Sequence, residues 1–119
     1  MKTEDIAKRL IALCKEAKWE TAQRELFAAD AVSIEPTASH GFEKETRGLP
    51  AIIEKGHKFD GMVEKMHSIA VSEPIVIENA FTCKMTMDVT MKGQGRMNMA
   101  EICVYTLKDG KIKSEQFFL

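Results

Sequence analysis

The chain has 119 residues, 45% of them hydrophobic, which suits one domain with a single core over residues 1–119. Its 17 basic and 18 acidic residues are interspersed and leave a formal charge of −1, so it carries no electrostatic footprint for binding DNA or RNA. No apolar run approaches the roughly 20 residues that span a bilayer, and the first residues lack a signal peptide's apolar core, so the expectation is a cytoplasmic protein with no membrane partner.

Thr3 is placed to cap a first helix whose opening turn carries Glu4 and Asp5, acids suited to the positive end of the helix dipole. Ile6, Leu10, Leu13, Cys14 and Ala17 recur at helical spacing and mark its apolar stripe. A second helical stretch follows over 19–27, with Trp19, Ala22 and Leu26 on one side. Residues 31–35 then read as a short strand that Pro36 stops. A polar loop over 37–47, with His40 and Gly41 at its tip, leads to Gly48-Leu-Pro, which opens a third helix containing Ile52, Ile53, His57 and Phe59 and ending near Gly61.

From Glu64 onward the pattern is almost wholly β. Residues 67–78 form a strand broken at Pro74, and Asn79-Ala80 is a short turn. Residues 81–92 alternate cleanly, with Phe81, Cys83, Met85, Met87, Val89 and Met91 on one face and Thr82, Lys84, Thr86, Asp88 and Thr90 on the other. Gly93-Gln-Gly turns the chain into an antiparallel return over 96–107, and Asp109-Gly110, the strongest short hairpin signal, starts a last strand over 111–119. Helices followed by antiparallel strands make an α+β protein.

Cys14, Cys83 and Cys103 are far apart and sit in apolar-periodic segments, which marks buried, reduced thiols rather than a disulfide framework. His40, His57 and His67 are equally scattered. No metal-ligand spacing is present, and neither a metal nor a cofactor is expected.

Three segments, Leu26-Phe-Ala-Ala-Asp-Ala-Val-Ser-Ile-Glu-Pro, Gly48-Leu-Pro-Ala-Ile and Val104-Tyr-Thr-Leu-Lys-Asp-Gly-Lys-Ile, stand in an order and spacing that resembles the nuclear transport factor two-like superfamily, in its SnoaL-like and ketosteroid-isomerase-like branch. The resemblance implies a cone-shaped, cystatin-like fold: three helices packed in the concave face of a curved, mostly antiparallel sheet, an apolar pocket at the open end, and a homodimer. It also implies a site. The isomerases of that branch carry a proton on the acid just before Pro in the first strand, here Glu35. Their oxyanion-hole tyrosine falls on Ile11, which donates nothing, and their late-strand acid falls on Glu101 or Cys103. In those isomerases the late-strand acid stays protonated in its apolar site and donates a hydrogen bond to the substrate oxygen.

Glu35, if it faces an apolar pocket, is suited to general-base work because desolvation raises its pKa; the plainer alternative pairs it with a base such as Arg47. Glu101 is the one acid on a face that otherwise reads Met97, Met99, Cys103, Tyr105 and Leu107, so it needs a partner, Arg96 or a backbone donor, or a purpose. Met85, Met87, Met99, Cys103 and Tyr105 are the expected ligand-binding wall, with His40 reaching over the mouth. The expected function is binding of a small apolar or amphipathic molecule. The alternative is an isomerase, cyclase or hydratase in which Glu35 is the base and Glu101 or Tyr105 steadies the oxyanion. Homodimerisation is expected through the outer sheet face, with Thr82, Thr86, Thr90, Ile102 and Val104.

Overall fold

A computed structural model describes residues 2–38 and 41–119. Its helices are α1 (Thr3–Lys15), α2 (Trp19–Leu26) and α3 (Leu49–Met62). Its strands are β1 (Phe27–Ile34), β2 (Glu45–Arg47), β3 (Val63–Val71), β4 (Ile75–Val76), β5 (Ala80–Met91), β6 (Gly95–Lys108) and β7 (Lys111–Phe118). They form one open curved sheet in the order β2-β1-β7-β6-β5-β3, with β4 also on β5. All pairings are antiparallel except β1 with β7, which is parallel. The three helices pack against the concave face, which is the expected α+β cone.

The long strands follow from the alternation. Phe81, Cys83, Met85, Met87, Val89 and Met91 are all buried, and the intervening residues of β5 face outward. The β6–β7 turn places Asp109 at φ 53° and Gly110 at φ 76°, the pair of left-handed residues that a two-residue hairpin turn of matching twist requires. Residues 67–78 are split as expected: Ser72 hydrogen-bonds Lys84 in place of a regular ladder, and β4 resumes pairing beyond Pro74.

Several boundaries differ from the sequence reading: β3 begins at Val63 rather than at residue 67, and three further differences have clear causes. First, Thr3 does not cap α1; its hydroxyl donates to the Glu78 carbonyl at 2.6 Å and ties the helix to the β4–β5 turn. Second, Ala17 is not part of the α1 stripe. It sits at φ 57° just past the helix, where the Lys18 and Ala17 N–H groups donate back to Leu13 and Cys14 in a Schellman closure. Third, the 37–47 loop contains β2, which pairs with β1, and β1 itself begins four residues earlier than its apolar pattern, at Phe27.

The core lies between α1 and the concave face. Ile6, Leu10 and Cys14 meet Phe81, Cys83 and Ile112, and Phe81 stacks on its cross-strand neighbour Tyr105 with ring centroids 4.8 Å apart. Arg9 on α1 holds Glu25 on α2 through two hydrogen bonds, of 2.6 and 3.1 Å.

Candidate functional site

The core does not fill the cone. Between the helices and the sheet lies a cavity of about 330 Å³, within the range of small-molecule sites. One wall is apolar: Met85, Met87 and Met91 from β5 and Met97 and Met99 from β6 point inward because each strand puts every second residue on the concave face. The helices add Leu10, Trp19 and Phe59 opposite, and Phe42 closes in from the loop after β1.

The other wall is polar and is assembled from four elements, β1, α3, β7 and β6. Ser33 and Glu115 are direct neighbours in the parallel β1–β7 register, and both are buried. The Ser33 hydroxyl donates to Glu115 Oε2 at 2.7 Å, so its lone pair is free to accept from Lys55 Nζ of α3 at 2.5 Å. Lys55 Nζ also lies 3.8 Å from Glu35 Oε1, with the two side chains only 15% and 26% exposed. Lys55 is therefore the shared cation of two carboxyl groups.

Glu101 faces this cluster from β6. Burial, then the negative charges of Glu35 and Glu115, push its carboxyl up to about 7, with Lys55 pulling the other way. Burial likewise raises the Glu115 carboxyl, while the Ser33 hydrogen bond and Lys55 oppose the shift. Tyr105 is raised well above its ordinary range by burial and stays a neutral phenol. The site thus gathers three carboxyl groups around one ammonium, and near neutral pH one of them is about half protonated.

Of the residues read from the sequence as site candidates, Glu35, Met85, Met87, Met99, Glu101 and Tyr105 all line this one cavity. Cys103 does not. It is fully buried behind the wall, opposite Cys83, and its thiol, which the Cys83 hydrogen bond and burial push up, approaches Glu101 Oε1 only at 4.0 Å. His40 lies outside the described residues. The partners named from sequence are also replaced: Arg47 pairs with Glu45 and Arg96 holds Asp88 on the outer face, leaving Glu35 to Lys55. Among the described residues no group of three His, Cys, Asp or Glu side chains is placed to hold a metal ion.

Sequence reasoning missed Ser33, Lys55 and Glu115. A signal existed for the first two. Ser33 continues the inward series Ala31, Ser33, Glu35, and Lys55 shares the helical face of Ile52 and Phe59. Glu115 was hidden by an irregularity: the β6–β7 register shifts between Thr106 and Leu107, so Ile112 and Glu115 are both buried although strict alternation would separate them.

The SnoaL-like domain family profile matches residues 1–119. The chain belongs to that family. No curated protein matches the chain. Among solved structures, this SnoaL-like chain is similar to a candidate SnoaL-like polyketide cyclase from Mesorhizobium loti, also labelled a carbohydrate phosphatase, at 29% identity and TM-score 0.91, covering 100% of both chains. A cystatin-like-fold protein of unknown function from Xanthomonas campestris matches at 18% identity and TM-score 0.83, over 99% of this chain and 90% of that one. A protein of ketosteroid-isomerase-like fold from Catenulispora acidiphila, in complex with trimethylamine, matches at 16% identity and TM-score 0.74, over 96% and 84%. The latter two likenesses speak to the fold, and no helix among the described residues is long and apolar enough to cross a membrane.

Proposed function

We propose that the protein binds a small, mainly apolar molecule in the cavity between helices and sheet, with a polar group of that molecule set against the Glu35–Lys55–Glu101 corner. The carrying observation is the cavity's division into a methionine and aromatic wall and a compact acid cluster. Methionine adapts to irregular apolar shapes, and a few convergent polar groups fix orientation. The Catenulispora protein, of similar fold, is in complex with a small molecule, trimethylamine, which is in line with this reading.

A second reading, proton transfer on an apolar carbonyl substrate, is favoured by one specific pairing. Glu35 stands beside a fixed cation, and Glu101 titrates near neutrality across the same space, so a base and an acid face each other. Trp19 lines the cavity and reports both readings. A panel of apolar ketones should change its fluorescence, and Glu35→Gln should keep that response while abolishing any turnover. Absence of a response across the panel would overturn the pocket reading; turnover that survives the substitution would clear Glu35 of the base role.

The reading includes a homodimer through the outer sheet face. Ile102 and Phe118 are direct cross-strand neighbours there, 44% and 46% exposed, beside Val104, Thr82 and Thr86. Light scattering should give twice the chain mass and Ile102→Asp should halve it; a monomer in the wild type at high concentration contradicts this.

A further inference from the structure

We propose that Lys55 is an amine nucleophile that forms a Schiff base with an aldehyde or ketone held in the cavity. The inference rests on the pocket reading above and adds a covalent step that the reading does not require.

Three observations carry it. Lys55 lines the cavity, and its Nζ lies 5.7 Å from the ring centroid of Phe117, another lining residue, so the amine stands beside the apolar surface that a ligand would cover. It also has a route for losing its proton. The hydrogen bonds run in one direction, Lys55 N–H to Ser33 Oγ and Ser33 O–H to Glu115 Oε2. When a carbonyl compound fills the cavity and displaces water, moving one proton along each bond turns the resting ammonium into a neutral amine beside it and leaves a neutral acid in the core. A low-dielectric surrounding favours that exchange, because it removes two charges that are costly to keep from water. The raised proton affinity of the Glu115 carboxyl acts in the same sense.

The third observation is that the acid and the base needed for condensation are both at hand. Glu35 Oε1, at 3.8 Å, is beyond hydrogen-bond reach of the resting amine but near enough to take a proton from its adduct. Glu101 opens on the same space. In the forward step, the Nζ lone pair attacks the carbonyl carbon, the C=O π pair moves to oxygen and takes a proton from Glu101, and the adduct nitrogen gives a proton to Glu35. In the second step the nitrogen lone pair expels the hydroxyl, Glu35 returns its proton to it, and water leaves. The net change is amine, carbonyl and protonated Glu101 going to iminium, water and ionised Glu101. The positive iminium then stands between the Glu35 and Glu101 carboxylates, which gives the excess of acids a purpose. Ser33 and Glu115 act through Lys55 and are positioning residues. Ser33 is no nucleophile itself, being fully buried with its proton committed to Glu115.

The test uses the wild-type protein and one variant, Glu115→Gln. Benzaldehyde and sodium cyanoborohydride at neutral pH convert any iminium to a stable benzyl amine, and peptide mass mapping gives the labelling rate of each lysine. Lys58, exposed on the same helix, is the internal reference. Lys55 should label roughly tenfold faster than Lys58, whose ammonium donates to the Gly41 carbonyl and has no relay to a buried acid. Glu115→Gln, which keeps an acceptor but cannot take the proton, should bring the Lys55 rate down toward that of Lys58. A wild-type Lys55 rate equal to or below that of Lys58 overturns the nucleophile, and an unchanged rate in Glu115→Gln overturns the proton route. If benzaldehyde alters Trp19 fluorescence while Lys55 stays unlabelled, the inference fails and the pocket reading stands; if neither signal is seen, both fail.

Discussion

The two walls of the cavity are built on opposite principles. The methionine wall comes from two adjacent strands, β5 and β6, and each of its residues is placed by the same rule of alternation. The acid wall takes Ser33 and Glu35 from β1 and its end, Lys55 from α3, Glu115 from β7 and Glu101 from β6, so no local pattern contains it. The apolar wall is redundant, since a neighbouring methionine can shift to fill a gap. The polar wall is not, because Lys55 offsets more than one carboxyl group and its loss leaves buried charge unpaired.

The largest effect should therefore come from the polar wall. Lys55→Met removes the shared cation and should destabilise the fold by about 3 kcal/mol above pH 7, the lower end for a broken buried pair because Glu35 is partly exposed. Without Lys55 the Glu101 and Glu115 carboxyls are pushed further up, so the loss should shrink as pH falls from about 7 toward the ordinary 4.5 and they take up protons, as denaturant melts across that range would show. A pH-independent loss would mean that Lys55 acts by packing alone.

The apolar wall should respond less. Met87→Ala should cost about 2 kcal/mol, since Met87 already borders open space and only part of its contacts is lost. Met87→Leu should cost under about 1 kcal/mol and leave the Trp19 response to ketones largely in place. If Met87→Leu proves as damaging as Lys55→Met, the contrast between the walls is wrong.

The same contrast explains what the sequence revealed. The strands over 81–92 and 96–107, their hairpin and the last strand were legible because period-two burial is a local property, and so was the methionine wall. Glu35 and Glu101 were legible as odd residues, one beside a Pro that ends a strand and one alone on an apolar face. Their partners were not. Charge complementarity alone offers basic residues such as Arg47 and Arg96, whereas the sheet order brings β7 beside β1 and turns Lys55 of α3 toward both. Glu115 needed the register shift in β7, and Cys103 was misjudged because a face can point inward and still end in core rather than cavity.

The titration of Glu101 tests the central claim, a cavity that buries a surplus of acid, most directly. Its folded-state value of about 7 lies above the ordinary 4.5, so the native protein binds this proton more tightly than the unfolded chain does. The stability that Glu101 contributes should be fully present below about pH 4.5 and be lost, by up to roughly 3 kcal/mol, as pH rises through 7, with Glu115 contributing in the same direction and the lowered Glu20, Glu25 and Asp88 carboxyls in the opposite one. In carbon-13 NMR of protein labelled at its glutamate carboxyls, one resonance should titrate at about 7 and be missing from Glu101→Gln. A Glu101 carboxyl that titrates at or below 4.5 would contradict the account, because it would place that acid in water or in an ion pair rather than facing the other carboxylates across an apolar space.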